Sequence, residues 1–242
     1  MKRILNLVFA LIVVGCTTNN DTNLTQGDGK GGSLAIFALK GDYLYCVDDM
    51  KLNVFSVINN AQPSKVNAIN IGFNIETLFS FENYLFVGSQ TGMYIYSINN
   101  PETPILIGQA QHITACDPVV ANATHSFVTL SSNRTCGNNI NLLQVYNTEN
   151  PSNPIKIHER NLTNPKGLAL YNNYLIVCDD DLKIFNIANP ANPVLVKAIA
   201  KSCFDVIIRG NDMYAVGTNG VYRYVLDNAN ITNVVFKSEI LF

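Results

Sequence analysis

One short motif occurs five times along the chain and limits the folds that the chain can adopt. The motif begins with an aromatic residue and ends, four positions later, with an Asn that Pro follows in three of the copies. The five aromatic residues are Phe55, Tyr96, Tyr146, Phe185 and Tyr224. The corresponding Asn residues are separated by 41, 50, 39 and 39 positions. A period of about 40 residues with short strands is typical of the four-stranded blades of a β-propeller.

The fourth copy shows how one repeat can form a blade. Apolar or alternating segments at residues 166–171, 174–179, 182–187 and 193–198 predict four strands. Asn172-Asn173 and Asp180-Asp181 indicate hairpin turns, and Pro190 indicates a loop because proline cannot donate to a strand ladder. No segment of the chain sustains the 3.6-residue period of an amphipathic helix.

These patterns predict an all-β fold, a five-bladed β-propeller of four-stranded antiparallel blades. The blades are expected at residues 33–70, 71–111, 112–161, 162–200 and 201–242. We expect the recurring aromatic residue to be buried between blades; a ring of aromatics that stack on sugars is the alternative. How the ring closes is left open by the sequence.

The first residues have the pattern of an export signal. Lys2 and Arg3 precede an apolar stretch at residues 4–14, and Gly15-Cys16 follows it. This stretch is too short to span a bilayer as a helix, and its end resembles a bacterial lipobox. The resemblance implies a lipoprotein signal peptide at residues 1–15 and a lipid-modified Cys16; an ordinary secretory peptide cleaved further on is the alternative. Residues 16–32 are polar and Gly-rich, which predicts a flexible tether.

Composition argues against several classes of partner. The formal net charge is −2, and the 16 Lys and Arg residues are scattered, so the chain lacks the basic patch of a nucleic-acid-binding protein. Membrane attachment is therefore expected through the N-terminal lipid and not through basic residues. Thr17 after the lipidated Cys resembles sorting to the outer membrane, with periplasmic and surface exposure equally open. We expect a monomer without a cofactor.

The repeats resemble those of the LVIVD-repeat family of bacterial lipoproteins. The resemblance is carried by a strand of the type Tyr-Leu-hydrophobic-Val (residues 174–177), a strand of alternating hydrophobic residues ending in an aromatic (residues 182–185), and Asn189-Pro190. It extends from about residue 33 to the end of the chain and implies a β-propeller with a lipid anchor, but no established activity. Two residues depart from the family's pattern: Lys166 stands where the family often has His, and Arg223 where it often has Gln.

Six cysteines raise the question of pairing in an exported protein. Apart from Cys16, the pattern favours a disulfide between Cys116 and Cys136, which would staple the long connection at residues 131–141. Cys178 and Cys203 could also meet between the fourth and fifth blades. Cys46 is expected to be a small buried hydrophobic residue.

A candidate binding site is placed on one face of the ring, which we call the upper face. This face carries the turns between the second and third strands of each blade and the connections between blades. Its candidate residues are Asp117, Arg134, Lys166, Asp179 and Asp205. The acidic runs Asp48-Asp49 and Asp179-Asp180-Asp181 could bind Ca²⁺, but Asp is also a common turn residue, and solvated turns are the favoured interpretation. The three histidines, His112, His125 and His158, are not expected to converge on a metal.

The favoured functional hypothesis is a non-enzymatic, lipid-anchored propeller that binds a protein or glycan partner at the cell envelope. No reactive constellation such as Gly-x-Ser-x-Gly is present in the sequence. The alternative is a hydrolase or lyase that uses acidic residues of the upper face, with or without Ca²⁺. A purely structural envelope component is a third hypothesis, which the sequence does not separate from the first.

Overall fold

The chain forms a five-bladed β-propeller in a computed structural model that describes residues 31–59, 61–72, 74–112, 118–131 and 140–242. Five separate sheets each contain four antiparallel strands that follow one another in chain order. The strands are β1 (Phe37–Lys40), β2 (Tyr43–Val47), β3 (Lys51–Ser56), β4 (Ser64–Asn70), β5 (Ile75–Phe81), β6 (Tyr84–Ser89), β7 (Gly92–Ser97), β8 (Ile105–Gln111), β9 (Val119–Ala121), β10 (His125–Ser131), β11 (Asn141–Asn147), β12 (Ile155–Asn161), β13 (Leu168–Tyr171), β14 (Tyr174–Cys178), β15 (Leu182–Asn186), β16 (Val194–Ile199), β17 (Asp205–Arg209), β18 (Asp212–Gly217), β19 (Gly220–Val225) and β20 (Val235–Leu241). Blades 1 to 5 are the consecutive groups of four. The predicted fold class is confirmed.

The strands of the fourth blade differ from their predicted bounds by one or two residues. Its first strand, β13, begins at Leu168 and not at residue 166, because the preceding backbone serves the connection between blades. There the Gly167 N–H donates to the carbonyl oxygen of Phe204, which precedes blade 5 (3.0 Å), while the Lys166 N–H donates within blade 4 to the Cys178 carbonyl oxygen (2.8 Å). The described part of the chain contains no helix that is long and apolar enough to cross a membrane.

Each recurring aromatic residue lies next to a β-bulge. In every blade the pairing of the third strand with the fourth shifts register immediately before it, for example between Ile184 and Phe185. A bulge bends its strand and redirects the side chain that follows. Tyr96, Tyr146, Phe185 and Tyr224 are at most 4% exposed, and each packs in a cluster shared with the preceding blade. Burial between blades is therefore confirmed for these four.

The loops that contain the Asn-Pro motifs also lie against the preceding blade. The Tyr45 hydroxyl of blade 1 donates to the Pro101 carbonyl oxygen of blade 2 (3.0 Å), and Asn67 Nδ2 donates to the Glu102 carbonyl oxygen (2.7 Å). Between blades 3 and 4, Arg160 Nη1 donates to the Pro193 carbonyl oxygen (3.0 Å), and its guanidinium lies 5.2 Å from the centre of the Phe185 ring. These polar contacts fix the spacing of neighbouring blades from outside the apolar core.

The junction between blade 5 and blade 1 is packed more loosely than the other four. Four clusters of buried residues join consecutive blades, and within the described residues none of them joins blade 5 to blade 1. Phe55, the first recurring aromatic, faces this junction and is only half-buried, as are Leu44 and Cys46 on the same face of blade 1. The predictions that Phe55 and Cys46 are buried were wrong, because no buried cluster of the described residues covers this side of blade 1. On blade 5, Arg223 takes the place that the buried Val54 or Ile184 has in other blades.

Candidate functional site

Three of the five predicted site residues, Lys166, Asp179 and Asp205, lie on the upper face of blades 4 and 5. Lys166 precedes β13, Asp179 directly follows β14, and Asp205 begins β17. Asp117 and Arg134 lie outside the described residues, as do Cys16 and the predicted Cys116–Cys136 disulfide.

The Asp179 carboxylate is buried and makes all its contacts within the protein. The residue is 1% exposed, and its oxygens accept hydrogen bonds from the backbone N–H groups of Thr163 (3.0 Å to Oδ1) and Asn164. The Lys183 ammonium lies 2.7 Å from Asp179 Oδ2 and 2.6 Å from Asp180 Oδ1. Asp179 therefore holds the connection that leads from blade 3 to blade 4 and has no oxygen facing solvent.

Lys183 and Asp180 form the outer part of this ion-pair group. Burial lowers the pKa of Lys183, but its contacts with the two carboxylates raise it more, so the net pKa lies above the ordinary value. The hydrogen bond from Lys183 lowers the pKa of Asp180 to about 2. Both side chains are fully charged near neutral pH, and half of the Asp180 side chain remains exposed.

Asp205 is enclosed by two glycines and a serine. A Cβ atom added to Gly32 would lie 2.2 Å from Asp205 Oδ2, and one added to Gly167 would lie 2.3 Å from Oδ1. Ser33 Oγ donates to Asp205 Oδ1 (3.2 Å) and accepts from the Leu168 N–H (2.7 Å). Burial raises the pKa of Asp205 above its ordinary value, and hydrogen bonds from Val206, Ser33 and Leu34 only partly offset this. Asp205 thus connects the segment before β1 with blades 4 and 5.

Neither Ser33 nor the two glycines were among the predicted site residues. Ser33 lies 172 positions from Asp205, and it directly follows residues 16–32, which the sequence predicts to be a tether. The glycines are recognisable only once the carboxylate between them is located, since glycine in a loop has many explanations. The sequence carries no local signal for this contact.

A disulfide between Cys178 and Cys203 crosses the interface of blades 4 and 5 on the same face. Their Cα atoms are 5.4 Å apart, and both residues are at most 2% exposed. This is the second of the two pairings that the sequence left open. Cys46 is not bridged.

The other acidic run and the histidines make local contacts. Asp48 accepts hydrogen bonds from the Met50 and Lys51 N–H groups (3.1 and 2.8 Å), as expected for a turn residue. His125 Nδ1 lies 2.7 Å from Thr124 Oγ1, and His158 Nδ1 lies 3.0 Å from the Ala191 carbonyl oxygen. Within the described ranges, no group of three or more His, Cys, Asp or Glu side chains could hold a metal ion.

The upper face of blades 4 and 5 is therefore a cross-linked surface. The disulfide, the buried Asp179 group and the Asp205 contact each tie a connection between blades to its neighbours. A surface that is fixed before binding loses less conformational entropy when a partner binds. What remains exposed is a mixture of charges, including Asp180 and part of Lys166.

Comparison with solved structures identifies the architecture. The chain superposes on a periplasmic gluconolactonase, PpgL, from Pseudomonas aeruginosa with a TM-score of 0.65 and 12% identity, covering 83% of this chain and 68% of that one. It also superposes on the computationally designed protein Ika8 (TM-score 0.61, 10% identity, 84% and 60% covered) and on Kluyveromyces lactis Hsv2 (TM-score 0.55, 14% identity, 83% and 60% covered). The chain thus spans about six tenths of the length of the last two. At these identities the likeness shows the fold alone. No protein-family model and no curated protein sequence matches the chain.

Proposed function

We propose that this chain is a non-enzymatic binding module that recognises a protein or glycan partner through the upper face of its propeller. The observation that carries the proposal is that Asp179 and Asp205, the two acidic candidates among the described residues, hold parts of the fold together. Asp179 is buried in an ion pair and two backbone hydrogen bonds, and Asp205 is packed between Gly32 and Gly167. A general acid or base must reach a substrate proton. The Asp179 side chain has no exposed surface, and both Asp205 oxygens are packed against the backbone of Gly32 and Gly167.

The cellular setting is part of the same proposal. A lipid on Cys16 and the polar tether at residues 16–32 would hold the propeller at a bacterial envelope membrane, with the outer membrane favoured by Thr17. The pattern of repeats supports a relationship with the LVIVD-repeat lipoproteins. The disulfide between Cys178 and Cys203 agrees with an oxidising compartment.

A photo-crosslinking experiment in the parent bacterium tests the proposal. A photoreactive phenylalanine analogue is placed at Lys166 on the upper face and, as the matched control, at the exposed Lys237 on β20 of the outer rim. We expect a discrete protein or polysaccharide adduct from position 166 that is absent from position 237. Absence of an adduct at 166, or the same adducts from both positions, would overturn the proposal.

A further inference from the structure

A channel runs along the centre of the propeller and is lined by the first strand of every blade. Its volume is about 540 Å³, which falls within the usual range of roughly 300–1,000 Å³ for small-molecule sites. Much of its wall is aliphatic or aromatic, including Phe79, Phe81, Leu170, Ile207 and Ile208. These five side chains are only half-buried by the protein, so they keep apolar surface that a ligand could cover.

One end of the channel is occupied by the segment that precedes β1. Gly31, Gly32 and Ser33 line this end, and Ser33 is 1% exposed. Ser33 Oγ is held by the Leu168 N–H and by Asp205, at the beginning of β13 and β17. The contact with Asp205 therefore also fixes a floor for the channel.

The opposite end is surrounded by side-chain amides. Tyr171, Asn122, Asn172 and Asn211 line it where the first strands turn into the second strands, and Asn228 lines it from the loop between β19 and β20. The Tyr171 hydroxyl donates to Asn211 Oδ1 (2.9 Å), and Asn172 Nδ2 donates to Asn228 Oδ1 (2.7 Å). Within the described part of the chain, the Nδ2 groups of Asn211 and Asn228 have no hydrogen-bond partner and remain available as donors.

No charged residue is found among the described residues that line the channel. An ion that entered would lose hydration without gaining a counter-charge, which is strongly unfavourable. A neutral apolar body would cover the half-buried side chains, and an acceptor at its end could take the free amide donors of the rim.

We infer that the channel binds an uncharged small molecule with an aromatic or aliphatic body and a terminal carbonyl or hydroxyl group. The body lies against the wall formed by β5, β13 and β17, and the polar end meets Asn211 and Asn228. The rim of this site lies at the end opposite the upper face, and the site does not depend on the proposed partner.

Two fluorescent probes, one neutral and one anionic, test the inference on the intact propeller. Prodan is a neutral naphthalene ketone, and ANS is a naphthalene sulfonate; the fluorescence of both rises in apolar surroundings. We expect wild-type protein to bind Prodan at least tenfold more tightly than ANS. Equal or tighter binding of ANS would overturn the inference.

Two Leu-to-Arg variants of the same blade locate the bound probe. Leu170→Arg places a charge in the channel, whereas Leu195→Arg places it on the outer strand β16, where Leu195 is 45% exposed. Prodan affinity should fall at least tenfold in Leu170→Arg and stay within twofold of wild type in Leu195→Arg. Unchanged affinity in Leu170→Arg, or an equal loss in both variants, would place the probe elsewhere.

A rim variant keeps the test decisive if Leu170→Arg does not fold. Asn211 and Asn228 are exposed, so the double variant Asn211→Ala/Asn228→Ala should fold normally. Loss of one or two hydrogen bonds to the ketone should weaken Prodan binding by about three- to tenfold. Identical binding by wild type and the double variant would contradict the assigned orientation and, with it, the inference.

Discussion

Cys178 and Cys203 are joined across the interface of blades 4 and 5, so a covalent bond reinforces one of the four well-packed junctions. The sequence separation is 25 residues, and both residues belong to the buried cluster that joins these blades. The bond ties the end of β14 to the connection before β17, next to Asp205.

Replacing both bridged cysteines should destabilise the fold. In the chain-entropy model a loop of this size corresponds to about 3 kcal/mol of stability. Cys178→Ser/Cys203→Ser should therefore lower the free energy of unfolding in urea by about that amount, and dithiothreitol should lower wild-type stability similarly. Cys46→Ser is the control, since Cys46 is half-buried and unbridged. A double variant as stable as wild type would show that the bridge does not form in solution.

Replacement of Asp179 should destabilise the fold much more than replacement of Asp180, although both carboxylates contact Lys183. Removing Asp179 leaves the Thr163 and Asn164 N–H groups without their acceptor. It also removes a carboxylate partner from the Lys183 ammonium, which is largely buried. Asp179→Ala should cost about 3–5 kcal/mol. Asp180 is half-exposed, and Asp180→Ala should cost about 1 kcal/mol or less. Chemical denaturation of the two variants compares them directly; equal losses would mean that Asp179 is not buried as described.

The carboxyls of Asp180 and Asp205 should titrate on opposite sides of 3.8, the ordinary value for Asp. The pKa of Asp180 falls to about 2 because Lys183 stabilises its charged form. Its contribution to stability is therefore complete above pH 3.8 and is lost as the pH falls towards 2. The pKa of Asp205 is raised by burial, so its protonation favours the folded state, and its contribution grows as the pH falls through that raised pKa.

Carbonyl-detected NMR titration of the labelled aspartates measures both groups. In Lys183→Met the pKa of Asp180 should move up towards 3.8, while that of Asp205 should not change. If Asp180 titrates at the same pH in both proteins, Lys183 is not the cause of its depressed pKa.

Lipid attachment at Cys16 predicts a simple biochemical result. Metabolic labelling with a tagged palmitate should mark the wild-type protein, and Cys16→Ser should abolish both the label and recovery in the membrane fraction. Cys46→Ser should keep both. Label that persists in Cys16→Ser would rule out this cysteine as the anchor.

The sequence predicts those parts of the fold that each repeat encodes for itself. The aromatic residue and the apolar strands recur at a fixed period because they act within one blade or between consecutive blades. The hairpin residues Asn172 and Asn173 likewise act within one blade. The contact of Ser33 with Asp205 joins residues 172 positions apart and occurs once, so no period reveals it. The pairing of cysteines likewise depends on the three-dimensional arrangement and not on their spacing.

The burial of Asp179 shows a second limit of sequence reasoning. Three consecutive aspartates in a turn favour a solvated loop, and the half-exposed Asp180 agrees with that expectation. Only the folded chain brings the Thr163 and Asn164 N–H groups to Asp179. A residue of the same type and in the same turn thus has a different role because of a segment 15 or 16 positions away.

Phe55 and Phe185 occupy equivalent positions in their repeats, and their replacement by Ala should measure how tightly the ring closes. Phe185 is 2% exposed and packs against blade 3, so Phe185→Ala should cost about 3–5 kcal/mol. Phe55 is half-buried at the junction with blade 5, so Phe55→Ala should cost only about 1–2 kcal/mol. Urea denaturation of both variants gives the comparison. If Phe55→Ala is as costly as Phe185→Ala, blade 5 packs against blade 1 in solution as closely as the other blades pack on one another.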